Sequence, residues 1–481
     1  MRTVVNLLVV VVCLVTSRAG LSSDKIIVDR LVDHEPEDVP QSAKWQFDSS
    51  LVDLWRRALR RPESDYQRMA CEALIQAHAY GYETAMAAIP ELQAVVIDEK
   101  VHSSARYAAA RALILFEHRE SARILFEASQ KHGKDLRQLV EPVLASWNYQ
   151  EIRPVWRDRI GSTQTPRRDL ALAIQGLGIE RDASSVEGLL KLVMPGDVAV
   201  DVRLAAARSV GQILHEGNES VAEQLRSRQR ASTIDRLCAV SLISQHRSDR
   251  AVQILLQMAA DTEPTIAAAA LRSLYSNDPQ LVLPVADAAM QNNDANVRRV
   301  GIDSYLKLPS PDRIQRVSRQ LNDPHPGHRM IVRDAFYSMA QKNEFKSEII
   351  SASLVILSGD DWRGQEQAAL LLGALVQKQT SGRMVELIGT SRPEVKVASA
   401  WALRKLAVPE TASPVHAYVD RVTTGASSAV MTKHADRQVA HLFELLGILK
   451  DRRSIPLMEK YIPKSDTFGA VSYTHLTLPT K

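Results

Sequence analysis

Aromatic side chains make up only 5% of this 481-residue chain, and cysteine occurs three times. Ala and Leu are abundant instead, which suits close helix packing and gives little support for a β-sandwich or barrel. The cysteines are too few and too scattered for a disulfide framework. Cys13 lies in an N-terminal apolar run, while Cys71 and Cys238 sit far apart, each on a predicted helix. Beyond that first run no segment holds 18 consecutive apolar residues, so no membrane span is expected in the mature chain. Neither sign of charge dominates: 60 Lys and Arg face 56 Asp and Glu, a formal net charge of +4. That balance offers no general electrostatic case for a nucleic-acid partner. Catalytic signatures are missing as well, with no Gly-rich phosphate loop, no His-Glu-x-x-His, no Cys-x-x-Cys-His and no nucleophile elbow. The sequence therefore nominates no catalytic residue, no metal ligand and no cofactor.

The ends carry their own signals. Arg2, the apolar run Val4–Val15 and Ser17-Arg18-Ala19 form the pattern of a secretory signal over residues 1–19, since a spanning helix needs about 20 apolar residues. An uncleaved anchor is the alternative, because Arg18 is an awkward neighbour for the cleavage site. Cleavage would remove Arg2 and Arg18 and lower the formal charge from +4 to +2. Residues 20–61 are expected to hold an extended, acidic, Pro-containing segment around Asp33–Pro40, followed by a capping helix from Ser49 to Arg60 with Leu51, Leu54, Trp55 and Leu59 at helical spacing. The closing stretch, residues 464–481, abandons the helical period. It resembles a translated library-adapter tail, with a genuine disordered tail as the alternative.

Between these ends runs a beat. A large apolar residue recurs at Leu74, Leu113, Leu144, Leu177, Val210, Leu242, Leu274, Tyr305, Met339, Leu372, Leu403 and Leu446, mostly 31 to 34 residues apart. Four positions before each stands a partner that is nearly always small: Ala70, Ala109, Val140, Ala173, Ala206, Cys238, Ala270, Gly301, Ala335, Ala368, Ser399 or Leu442. Residues i and i+4 share a helix face, so each unit presents a knob beside a notch. A unit of this length cannot close its own core and must stack on its neighbours. The expected fold is all-α, an α-solenoid (superhelix) of about twelve antiparallel helix-pair repeats over residues 62–463.

Segments such as Asp201-Val202-Arg203-Leu204-Ala205-Ala206-Ala207-Arg208-Ser209-Val210-Gly211, Asn293-Asp294-Ala295-Asn296-Val297-Arg298 and Arg392-Pro393-Glu394-Val395-Lys396 resemble the HEAT repeat in its short, PBS-lyase-type form. The resemblance covers about 400 residues. It implies an α-solenoid used for protein binding or assembly, with an attached enzymatic role in a minority of relatives, and it names no substrate. Pro142 inside the third unit and Gly301 in place of Ala in the eighth depart from the pattern.

Four features stand out as candidates for function. Arg106, Arg137, Arg203, Arg298 and Lys396 lie seven positions before their knobs, so stacking would align them into a ladder that either binds an acidic partner or pairs with neighbouring carboxylates. Arg226, Arg228 and Arg230 form a basic patch, expected in a solvated loop. His325 and His328 beside Asp323 have metal-like spacing, but Pro326 and Gly327 point to an exposed turn. Finally, the steps from Leu74 to Leu113 and from Leu403 to Leu446 are long, 39 and 43 residues, the second containing a flexible loop at 423–429. Insertions project from one solenoid face and often bind partners.

The first expectation for function is an exported, non-catalytic scaffold in the periplasm or outside the cell, whose partner is another envelope protein. A module of a larger redox or sugar-processing envelope protein is the alternative, and a bilin-lyase-like enzyme comes third. Oligomeric state has no signature in the sequence.

Overall fold

Small residues at the notches let neighbouring helices approach closely, and that approach builds the whole architecture. A computed structural model describes residues 48, 50–228, 231–425 and 433–461, and among these every regular element is helical. The chain is an α-solenoid of stacked helix pairs. Its contacts divide into two units, with the break after Ser304, although the sequence period crosses that point without a mark.

Within each unit the longer helices carry the knobs and form a first row, such as Ser103–Leu115, Lys134–Ser146, Arg167–Ile179 and Val200–Ile213 in one unit and Trp362–Ala374 and Pro393–Leu406 in the other. Shorter helices such as Ala122–Lys131 and Val186–Val193 form a second row. Most first-row neighbours touch along their lengths, above all Trp362–Ala374 with Pro393–Leu406, although Ser103–Leu115 and Lys134–Ser146 meet at fewer points, as second-row neighbours do. The small notch residues are why: Ala109, Ala173, Ala206, Cys238, Ala270 and Ala368 are all fully buried between first-row helices. The closer spacing makes the first row the inner side of each stack.

The beat has a backbone cause as well as a packing cause. The knob's carbonyl accepts the bond that closes its helix: His118 N donates to Leu113 O at 3.1 Å, Tyr149 N to Leu144 O at 3.0 Å, Asp182 N to Leu177 O at 3.0 Å and Gln377 N to Leu372 O at 3.0 Å. The residue between, Glu117, Asn148, Arg181 or Val376, takes a positive φ of 51 to 57°, the left-handed stop that ends a helix in a Schellman-type turn. A single 3-10 turn follows. It ends in a buried hydroxyl eight residues past the knob, as at Ser185, whose Oγ–H donates to Asp182 O at 2.7 Å, and Thr380, whose Oγ1–H donates to Gln377 O at 2.8 Å.

The expected knobs are buried with one exception. Met339 and Ala335 are only half-buried, and their places are taken by Phe336 and Val332. The helix Pro326–Gln341 is 16 residues long where its neighbours have 13 or 14, so its C-terminal stop, at Asn343, lies nearly one turn beyond the core contact. The capping helix is Ser50–Leu59, and it buries Val52 and Leu59 while the expected core residue Leu54 is 51% exposed. The signal segment 1–19, the acidic stretch and the tail 464–481 lie outside the described residues. Among the described residues no helix is long and apolar enough to cross a membrane.

Pro142 sits inside the helix Lys134–Ser146 without ending it. At Gly301 a side chain would meet Ala286 O at 2.8 Å, so the missing methyl allows close helix approach. The turn residues expected to cap helices do so at Asp294, whose Oδ1 accepts from Asn296 N and Val297 N. Asp261 and Asp323 instead tie the loop residue two ahead, because the N-cap positions of the next helices are held by Glu263 and His325.

Candidate interaction surface

Arginine at the seventh position before the knob starts in the first turn of a first-row helix, where its side chain reaches back over the loop just traversed. Arg106 Nη2 donates to Asp98 O at 2.6 Å and Val101 O at 3.0 Å. Arg298 Nη1 donates to Asn292 O and Asn293 O at 2.9 and 2.8 Å. Arg203 Nε donates to Val193 O at 2.9 Å while its Nη2 meets Asp235 Oδ1 at 2.5 Å, one repeat further on. Arg137 pairs with Asp169, also one repeat on, at 3.1 Å. Lys396 is half-buried at the same place in its helix. Arg106, Arg203 and Arg298 are all buried, so the ladder staples loop carbonyls and neighbouring carboxylates rather than presenting charge outward.

Three further residues do the same work without having stood out as basic. Gln67 Nε2 donates to Leu59 O and Arg61 O, Gln365 Nε2 to Gly359 O, and Arg329 Nη1 to Asp323 O and Pro324 O. Gln67 and Gln365 were legible as amides seven before Leu74 and Leu372. Arg329 was hidden by the misplaced knob, since it stands seven before Phe336 and ten before Met339.

The other candidates are also absorbed by the fold. Arg226 lies on the helix Glu219–Ser227 and bonds Glu223 and Gln257, and Arg228, in the connection just past that helix, bonds Asp235 and Met194 O, so both side chains are tied to neighbouring elements; Arg230 lies outside the described residues. His328 is buried in the first turn of Pro326–Gln341, its Nδ1 3.4 Å from Asp323 Oδ2, and only His325 is exposed. The turn expectation fails because the helix begins at Pro326, whose fixed φ suits a first helical position. Among the described residues no three His, Cys, Asp or Glu converge as a metal site. Burial raises the Cys71 thiol to about 12 and the Cys238 thiol to about 11. In the second long step the helix Ala412–Gly425 runs through Thr423 and Thr424 where a loop was expected, and the rest of that segment lies outside the described residues.

A groove opens beside the first long step. Its volume is about 750 Å³, and it runs across the helices Ser64–Ala79, Ser103–Leu115 and Lys134–Ser146. Arg68, Glu72, Tyr107, His132, Gln138 and Pro142 are among its walls. Tyr107 is 40% exposed, and Tyr66 and Met69, on the first of these helices, are exposed too. Glu72 is tied to Arg111 of the next helix at 3.1 Å, which fixes one wall. Pro142 matters here for a backbone reason: it has no N–H, so the Gln138 carbonyl four residues back loses its helical donor. The groove thus sets an exposed aromatic ring among charged and polar side chains. Burial, then Arg106, lowers the His132 pKa, which favours a neutral imidazole. Shape and hydrogen bonding dominate this surface, and the residues present do not assemble a nucleophile with its base.

No protein-family model matches the chain, and no curated protein sequence matches it. Solved structures of karyopherins do resemble it. Kap95p in its structure with RanGDP aligns at a TM-score of 0.48 and 13% identity, over 90% of this chain and 60% of that one. Yeast importin-β (Kap95p) aligns at 0.45 and 12%, over 90% and 61%. Kap121p bound to the extreme C-terminus of the phosphatase Cdc14p aligns at 0.35 and 11%, over 87% and 47%. The chain spans about 60% of the Kap95p length that it matches.

Proposed function

We propose that this chain is an exported HEAT-repeat scaffold, acting without catalysis, that holds another protein of the cell envelope. The partner's seat is the inner-row groove between Arg68 and Pro142. One observation carries this reading: the groove sets the exposed Tyr107 ring among the charged and polar side chains of Arg68, Glu72, His132 and Gln138. An exposed aromatic ring among charged and polar side chains suits a peptide segment, whose apolar side chains bury against the ring while its polar groups pair with the walls. Export is supported by the sequence pattern of residues 1–19 and the near-neutral charge of residues 20–481.

A photo-crosslinking residue at Tyr107, introduced into the full chain in its native envelope, tests the proposal. The expected result is one discrete protein adduct that is absent when the same residue stands at exposed Arg250 on a second-row helix, and that is lost in Met69→Asp. Equal adducts from both positions, or none from Tyr107, would overturn it.

A further inference from the structure

On the outward side of the first row, in the unit ending at Ser304, the position two before the knob is arginine three times, at Arg111, Arg208 and Arg272. Arg111 is tied to Glu72, whereas Arg208 and Arg272 are exposed and form no ion pair among the described residues. Both line one groove of about 400 Å³ that crosses the helices Val200–Ile213, Thr233–Leu242 and Pro264–Asn277. The carboxylates of these helices are already spent. Asp201 is paired with Arg167 and Asp235 with Arg203 and Arg228, while Pro264–Asn277 carries no acidic residue at all. Leu204, Leu237 and the buried Val240 give the groove an apolar side, and neither a carboxylate nor an aromatic ring lines it. Two hydroxyls on its walls are set as acceptors: Ser244 Oγ–H donates to Ser241 O and Ser273 Oγ–H to Ala269 O, both at 3.0 Å, which leaves each oxygen's lone pairs for an incoming N–H.

We propose that this groove binds an acidic peptide segment in extended form, its carboxylates meeting Arg208 and Arg272 and its backbone N–H groups the Ser244 and Ser273 oxygens. Charge complementarity carries the assignment: two exposed guanidiniums share a groove that offers them no counter-charge, and guanidinium pairs with carboxylate in a fixed two-point geometry. The spacing sets the length of the segment. Packed helices lie about 8–10 Å apart, so the helices bearing Arg208 and Arg272, with one helix between them, stand about 20 Å apart, which about six residues of extended chain would cross. Nucleic acid fits less well, because two cations neutralise few phosphates and no ring is present for a base to stack on. The groove between Arg68 and Pro142 has the opposite character, with Tyr107 and the carboxylate of Glu72 in its walls, so the two sites stand or fall separately.

Fluorescence anisotropy with the full chain tests it, using a labelled eight-residue peptide of alternating Glu and Ser beside the same peptide with Gln in place of Glu. The Glu peptide should bind, and the Gln peptide should bind at least tenfold more weakly. Arg208→Gln/Arg272→Gln should weaken the Glu peptide at least tenfold while leaving the urea midpoint unchanged, since both side chains are exposed and unpaired. Arg119→Gln/Arg250→Gln removes the same charge from exposed positions outside the groove and should leave binding as it was. No binding of the Glu peptide, equal binding of the Gln peptide, or equal losses in the two double variants would overturn the proposal. So would a single-stranded oligonucleotide that displaces the Glu peptide at equal concentration, which would assign the arginines to phosphate.

Discussion

The inner row from Ser103 to Ile213 and the inner row from Trp362 to Leu406 are built on the same beat with opposite outcomes. In the first, the outward positions are Tyr107, Arg111, Gln175 and Arg208, and water reaches them. In the second they are Glu366, Leu370, Val397 and Trp401, and it does not. Packing follows the difference. Every residue from Gly364 to Gly373 is buried, and Gly373 lies so close to the next helix that a side chain there would meet Ala402 at 2.8 Å. Polar groups caught inside such a helix must find partners, and they do: Gln367 Nε2 donates to Glu366 Oε2 at 3.2 Å, and Arg333 Nη1 donates to Gln367 Oε1 at 3.1 Å. One backbone pattern can therefore stand as an open wall or as a closed core.

The sharpest way to break the comparison is to put a charge on each row. Leu370→Asp buries an unpaired carboxylate and should cost upward of about 4 kcal/mol, whereas Gln175→Asp, at an open position of the other row, should leave the urea midpoint unchanged. Similar losses in the two variants would show that the rows do not differ energetically. The next largest effect concerns the buried ladder. Arg203→Ala leaves Asp235 to Arg228 and Ser232 and removes the donor to Val193 O, and should cost about 2 kcal/mol, while Lys396→Ala, at a half-buried rung, should cost much less.

The same ion pair gives a pH signature. Burial alone would raise the Asp235 carboxyl, but its bonds to Arg203 and Ser232 outweigh burial and hold it at about 2, below its ordinary 3.8. A carboxyl lowered by folding stabilises the protein above its unfolded pKa, and that contribution is lost as pH falls from about 4 toward 2. It is worth roughly 2 kcal/mol. Asp235→Asn should flatten stability against pH in that window, and a curve that keeps its wild-type slope would assign the acid sensitivity elsewhere. The smallest effect is chemical. With thiols raised to about 12 and about 11, native Cys71 and Cys238 should resist labelling by a disulfide reagent at pH 8 and react only on unfolding. Rapid labelling of Cys238 in the folded chain would mean that its notch opens.

Much of this was legible because it is local. The 31-to-34-residue beat marks the knobs, since each knob both fills the core and supplies the carbonyl that ends its helix, and two constraints on one position leave a clear trace. The hydroxyls eight residues beyond it, Ser121, Ser185, Thr380, Thr411 and Ser454, were equally available in the sequence and went unread. The groove was only half visible. The long step after Leu74 and the misplaced-looking Pro142 both flagged the place, but neither indicates that Tyr107, Gln138 and Pro142 share one wall. The shift from Met339 to Phe336 was missed because both are apolar residues at helical spacing, and only burial separates them: the helix stop still falls on Met339, whose carbonyl accepts from Glu344 N at 2.9 Å.

By itself, then, the sequence determined the helix-pair repeat, the buried Cys238 notch and the absence of convergent catalytic motifs, since periodicity and composition act over one or two helical turns. The tertiary structure alone decided that Arg106, Arg203 and Arg298 point inward to loop carbonyls, that His328 is buried while His325 is not, and that Leu370 and Trp401 lie in a dry row while Arg208 lies in a wet one. Those outcomes depend on which surfaces meet across successive repeats, and a side chain's burial is a property of its neighbours 30 residues away as much as of itself.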